Sequence, residues 1–302
     1  HTQRLNTPRV LAVSGDEMFY IQEDLGDSVL FDALKAGRLT GVFSTEEKEI
    51  LHKTIALLAD FQVLGAKDLD FSVCYPQAEF NHRSVHWDLN YFKYNFLKTT
   101  GMEFQEDLLE NDFDKLSQHL LQDESDTFLY RDFQSRNVML VDGRPYFIDY
   151  QGGRKGPVHY DVASFLWQAK ANFPDDLRDE LIKTYIASLK KYREVDEAEF
   201  IEKLRLFVLF RTLQVLGAYG FRGYFEKKPH FIQSIPFALN NLRELLKGGF
   251  DEYPYLTGML NEMVGLKQFA DTQKRELEVR VFSFAYKKGI PNDVSGNGGG
   301  YV

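Results

Sequence analysis

The chain has 302 residues, 44% of them hydrophobic, and a formal net charge of −9. That is enough apolar material for one large or two medium domains, while the acidic balance argues against a general nucleic-acid binder, which carries a basic footprint. One cysteine, Cys74, excludes an internal disulfide and reads as a small buried side chain; with no apolar run of membrane-spanning length and no signal segment, a cytoplasmic protein is expected.

Residues 9–22 read as two strands around the turn Ser14-Gly15-Asp16-Glu17, and the polar run Glu23-Asp24-Leu25-Gly26-Asp27 ends the second. From Thr45 the pattern turns helical, with Ile50, Leu51, Ile55, Leu57, Leu58 and Phe61 at helical spacing. Further helices are expected over 87–97 and 108–121. Beyond residue 150 they are expected over 160–171, 175–192, 198–216 and 235–246. Near residue 272 the composition changes. Leu277, Val279 and Val281 alternate with Glu278, Arg280 and Phe282 as in a strand, and a glycine run over 295–300 follows. Sparse strands early and helices late give an α+β architecture. The opening on His1 and the stop at Tyr301-Val302 read as the ends of a fragment.

The chemistry is concentrated between the two helical parts. In Tyr130-Arg131-Asp132-Phe133-Gln134-Ser135-Arg136-Asn137, an Asp stands five residues before an Asn, and Asp149 follows about a dozen residues later. Phosphoryl transfer needs those types: one carboxylate to orient and deprotonate an attacking hydroxyl, and an amide oxygen with a second carboxylate to hold Mg²⁺ against nucleotide phosphates. Between them, residues 138–141 and 145–148 read as strands joined by the turn pair Asp142-Gly143. Such a hairpin folds Asn137 and Asp149 back to the same end, beside Asp132.

Other constellations carry less. His82 and His86 stand four apart, as a metal site on a helix requires, but the intervening residues lack the Glu of a zinc protease motif, which argues against zinc. Asp88 and Asn90 are candidates for hydrogen bonds to a substrate's hydroxyls. Trp87, Tyr91 and Tyr94 are candidates to line a cleft. Arg154-Lys155 reads as a solvated turn.

The segment YRDFQSRNVMLVDGRPYFIDYQGGRKGPVHYDVASFL resembles the core of the aminoglycoside phosphotransferase and choline kinase-like family. It is most similar to the branch of bacterial N-acetylmuramate/N-acetylglucosamine anomeric kinases. FYIQEDLGD resembles that branch's hinge, and SVHWDLNYFKYNFL its substrate-side helix. The resemblance implies a protein-kinase-like fold with a largely helical C-lobe. It implies ATP or GTP and Mg²⁺ as cofactors, and an amino sugar as the small-molecule partner. It places Asp132 as catalytic base, Asn137 and Asp149 as magnesium ligands, Gln22, Glu23 and Leu25 at the nucleotide hinge, and Asp161 as a structural support of the catalytic loop.

The tail EVRVFSFAYKKGIPNDVSGNGGGYV resembles the start of the C-terminal domain of the RapZ-like RNase adapters, associated with a hexosamine phosphate. The implied organisation is an N-lobe remnant and hinge over 1–26, a helical C-lobe over 27–271, and a truncated further domain from 272. Two departures stand out. Tyr130 occupies the place commonly held by His. No Lys precedes Lys35, so the phosphate-binding Lys of an early strand is missing; the N-lobe is expected to be truncated and this fragment inactive alone. Two alternatives remain open: a non-catalytic scaffold sensing a sugar phosphate, and a kinase acting on an aminoglycoside or choline-like amine.

Overall fold

The first strands pair as β1 (Val10–Val13) and β2 (Tyr20–Gln22), antiparallel, with a bulge between Val10 and Ala12, and both are exposed throughout. The computed structural model describes residues 5–122 and 125–270, so the strand-like tail and glycine run expected after 272 lie outside the described residues. After β2 come two short helices, α1 (Leu30–Ala33) and α2 (Lys35–Thr40), the latter stopped by Gly41 at φ 75°. A left-handed residue there suits glycine, which has no Cβ to clash.

Helix α3 (Thr45–Gly65) starts at a reciprocal cap: the Ser44 hydroxyl accepts from the Glu47 N–H, and the Glu47 carboxylate accepts from the Ser44 N–H. Its buried stripe of Leu51, Ile55, Leu58 and Phe61 follows the spacing legible in the sequence. Next are α4 (His82–Asn95), capped by the Asn81 side chain, and α5 (Glu106–Leu120). The four strands around the expected loop are β3 (Thr127–Leu129), β4 (Val138–Val141), β5 (Arg144–Phe147) and β6 (Arg154–Gly156). They form two antiparallel pairs, β3 with β6 and β4 with β5.

The remainder is helical: α6 (His159–Leu166), α7 (Asp175–Leu189), α8 (Glu197–Gly220), α9 (Pro229–Ile232), α10 (Ile235–Leu246), α11 (Pro254–Val264) and α12 (Lys267–Ala270). Helix α6 stops five residues earlier than its pattern suggests. Asn172 is left-handed at φ 53°, and Pro174 disfavours helical backbone at Phe173.

Helix α8 is the spine of the large lobe, packed against α4, α6 and α10. Contrary to the sequence expectation, it continues into a π turn to give a helix, Glu197–Phe225, long and apolar enough by length and composition to cross a bilayer. Most of its apolar surface is instead buried against neighbouring helices, as in a core helix. Two glycines permit its closest contact. A Cβ on Gly217 would stand 2.7 Å from the Phe92 backbone nitrogen, and one on Gly220 would stand 2.1 Å from the Asn95 carbonyl oxygen. The backbones of α8 and α4 therefore touch where no side chain fits. Gly258 on α11 is the contrast, exposed and with open space around it. We expect Gly220→Ala to destabilise by about 3 kcal/mol or more, because backbone cannot rotate away from an inserted methyl. Gly258→Ala should stabilise by about 0.5–1 kcal/mol through helix propensity. Urea denaturation of both variants checks the pair.

Candidate active site

The segment between β3 and β4 carries the expected chemistry, and its shape begins with a buried carboxylate. Asp161, in the first turn of α6, is completely buried. It accepts the backbone N–H of Tyr130 at 2.8 Å, the N–H of Arg131 at 2.9 Å and the Gln62 amide at 2.8 Å. Gln62 in turn accepts from the Tyr185 hydroxyl, so α3, α6 and α7 meet at this point. Arg131 sits at φ 79°, a left-handed conformation costly for a non-glycine residue, and the two N–H bonds hold it there. Burial lifts Asp161 to about 7, against the pull of its N–H donors and Arg211. Beneath the loop, Phe133 packs on Tyr130, Phe147 and Phe165 with ring centres 5.0–5.2 Å apart.

The hairpin closes the other side. Asp142 and Gly143, at φ 50° and 71°, make the left-handed pair that matches strand twist. Its ends are joined twice: the Ile148 N–H donates to the Asn137 carbonyl at 3.1 Å, and the buried Tyr130 hydroxyl bonds the Ile148 carbonyl. Tyr130 thereby ties the residue before Asp149 to the loop holding Asp132. Asn137 Nδ2 donates to the Asp132 carbonyl at 2.9 Å, which leaves Oδ1 as the amide's ligand atom. Asp149, at φ 68°, accepts from the Gln151 side chain at 3.1 Å.

Asp132, Asn137 and Asp149 line one cavity of about 720 Å³. Its far wall is a face of α8 running from Arg211 through Gln214, Val215 and Ala218 to Arg222, with Tyr219 at its edge. Trp167 and Phe231 add aromatic surface. Arg211 is buried, with Nη2 3.5 Å from Asp132 Oδ1 and Nε donating to Ser164 Oγ at 3.2 Å. Ser164 and Asp161 lie three apart on α6, so one helix face fixes both the loop backbone and the arginine on the Asp132 carboxylate. The lining is cationic in an acidic chain: Arg136, Lys170, Arg211 and Arg222 against Asp132 and Asp149. Lys170 is pushed down by burial and by Arg136 and Arg38, as expected where positive charges crowd a site for an anion.

Other sequence candidates lie elsewhere. Among the described residues, neither Asp88 nor Asn90 lines this cavity. Asp88 is buried and paired with Arg131 at 3.3 Å. Trp87 and Tyr94 are exposed on α4, away from it. Gln22 pairs with Val10, and Glu23 is ion-paired with Arg9 at 3.1 Å. With Leu25 they stand outside the cavity, although Ser28, just beyond, accepts the Leu140 N–H of β4 at 2.8 Å. Arg154 is no solvated turn. It is 1% exposed in β6, and its Nη1 has no hydrogen-bond partner. Cys74 is half-buried. Sequence reasoning missed Arg211, Trp167, Lys170, Tyr219, Arg222 and Phe231. The available signal was Arg211, Gln214 and Arg222 recurring on one face of the largely apolar stretch 206–225.

Comparison with known proteins bears on the family and the fold. The model of the phosphotransferase enzyme family (APH) matches residues 1–198. An N-acetylmuramate/N-acetylglucosamine kinase of Neisseria meningitidis is 28% identical over 268 residues, covering 86% of this chain and 76% of the relative. A kinase of the same name from Pseudomonas aeruginosa is 22% identical over 245 residues, covering 77% and 66%. Among solved structures, choline kinase from Cryptosporidium parvum superposes with a TM-score of 0.53 at 13% identity, covering 85% of this chain and 78% of that one. A choline/ethanolamine kinase family protein from Mesorhizobium loti gives 0.52 at 11%, with the same coverage. The fold is thus the mixed α+β, protein-kinase-like one, with a smaller β-rich N-terminal lobe and a larger helical lobe.

Two outcomes follow from α6. Asn at 161 offers one acceptor oxygen where the carboxylate offers two, and turns an N–H₂ toward N–H donors. Asp161→Asn should therefore cost about 2–4 kcal/mol in chemical denaturation, as a buried donor loses its partner. His159, two residues earlier, packs on Phe200 and Phe207, its Nδ1 is buried without a partner, and burial lowers it to about 3. A folded-state value below the ordinary 6.5 means that the unfolded chain takes up the proton first. The stability from neutral His159 is full above pH 6.5 and drains as pH falls toward 3. His159→Phe removes that loss. Its melting temperature relative to the parent should be flat above pH 7 and climb steadily from pH 6.5 down to 4.5 in thermal scans.

Proposed function

Because the chain belongs to the phosphotransferase enzyme family, we propose that it is a small-molecule kinase that moves the terminal phosphoryl group of ATP or GTP to a hydroxyl of an amino sugar, the anomeric one. The observation that carries this reading is the meeting of Asp132, Asn137 and Asp149 on one cation-lined cavity. The amino-sugar acceptor is supported by the N-acetylmuramate/N-acetylglucosamine kinases among its relatives. N-acetylmuramate bears a carboxylate, which the arginines and Lys170 of the cavity suit, and Trp167, Tyr219 and Phe231 offer apolar faces to a sugar ring.

In this reading Asp132 takes the acceptor hydroxyl's proton. The hydroxyl oxygen attacks the γ-phosphorus, the bond to the β,γ-bridging oxygen breaks, and nucleoside diphosphate leaves. Arg211 holds the Asp132 carboxylate in the direction of the acceptor. Asn137 Oδ1 and the Asp149 carboxylate, both hard oxygen donors, fit Mg²⁺, which supplies neutralisation of charge on the transferred group. The rate advantage comes from positioning and preset electrostatics.

Because no Lys before Lys35 is present to hold the nucleotide phosphates, the test uses a protein that carries this chain together with such a lysine, offers ATP or GTP with Mg²⁺ to N-acetylmuramate and N-acetylglucosamine, and reads the phosphorylated position by phosphorus NMR. An anomeric sugar phosphate is expected; no phosphosugar with either nucleotide sinks the reading. Asp132→Ala should lower kcat by about 10²–10⁴-fold, with nucleotide affinity nearly unchanged. Arg211→Gln should lower kcat by about a hundredfold with little change in KM for nucleotide, the signature of a misdirected base.

A further inference from the structure

On the opposite face of α4 from its contact with α8, His82 and His86 stack with ring centres 4.1 Å apart. The sequence argues against zinc here, because no protease-motif Glu stands between these two imidazoles, and nearby Asp88 is taken up by Arg131. The fold supplies a third ligand from α5: Asp114 Oδ1 lies 3.0 Å from His86 Nε2 and 3.5 Å from His82 Nε2. The three ligand atoms stand within 4.8 Å of one another. His86 Nε2 is buried and makes no well-directed hydrogen bond despite its nearness to that carboxylate. Its other nitrogen, Nδ1, faces Glu110 Oε2 at 3.9 Å. Glu110 is itself anchored by the buried Lys93. A carboxylate behind the distal ring nitrogen is the arrangement that fixes the tautomer and orientation of a metal-bound histidine.

Charge favours a cation here: Asp114 and Glu110 face the pair from α5. The His82 side chain is 62% exposed, so its ring can rotate until both Nε2 lone pairs meet one point. Two imidazoles and one carboxylate select a borderline divalent ion such as Zn²⁺ over Mg²⁺ or Ca²⁺, with water completing the set. We propose that His82, His86 and Asp114 form a binding site for such an ion, clamping α4 to α5. This site is separate from the cavity of Asp132 and independent of the proposed reaction.

The test titrates metal-free full chain with ZnCl₂ at pH 7.5 in excess Mg²⁺, by calorimetry and by melting temperature. One equivalent should bind at micromolar or tighter affinity and raise the melting temperature. His82→Ala and Asp114→Asn change exposed side chains and should spare the fold. Each should weaken binding at least about tenfold, as loss of a ligand demands. Undiminished Zn²⁺ binding by either variant, or no binding by the parent at about 100 µM Zn²⁺, overturns the assignment.

Discussion

One buried carboxylate organises the rest of this molecule. Asp161 offers its two oxygens to consecutive backbone N–H groups, and a chain can satisfy both only by turning sharply between them. That turn is the left-handed Arg131. The next residue, Asp132, is thereby thrown outward into the cavity, while Tyr130 is driven inward to bond the far end of the hairpin. A single carboxyl group taken out of water thus sets the direction of Asp132 and, through the tyrosine hydroxyl, of the hairpin end that carries Asn137 and Asp149. The arrangement withstands burial because the carboxylate is satisfied on all sides, by two peptide groups and a glutamine.

That Asp132, Asn137 and Asp149 would converge was legible in the sequence because the grouping is local. Asp132, Asn137 and Asp149 fall within one short stretch, and the turn pair Asp142-Gly143 leaves a hairpin little choice of register. The long helices were legible for the same reason, each carrying its own apolar stripe. The far wall of the cavity was not. Arg211 and Arg222 reach the cavity only because α8 crosses behind the loop, and that crossing is set by packing among α4, α6 and α10. Arg154 misled because a glycine-flanked basic pair has the composition of a turn, whereas pairing with β3 draws it inside. Asp88 misled in the opposite sense. It has the look of a ligand-binding acid on a substrate-side helix, yet Arg131 takes it up.

The two aspartate–arginine contacts at the loop share a logic. Asp88 of α4 pairs with Arg131, and Arg211 of α8 approaches Asp132, so consecutive loop residues are referred to two helices that themselves touch. The loop is held by its backbone from α6 and by its side chains from α4 and α8. Electrostatically the result is an Asp132 carboxylate that shares its cavity with the Arg136, Arg211 and Arg222 guanidinium groups in an otherwise acidic protein. This concentrates attraction for anionic reactants at one spot without making the whole surface basic.

The glycine seam between α4 and α8 limits how such a protein can diversify. Where backbone meets backbone, no residue larger than hydrogen is admissible, so the inner edge of α8 at Gly217 and Gly220 is closed to variation. Its opposite edge, from Gln214 to Arg222, looks onto open volume and is tolerant. Change in the cavity's lining would therefore be confined to that outer rim, while the spacing between Asp132 and the wall is held by the glycine seam.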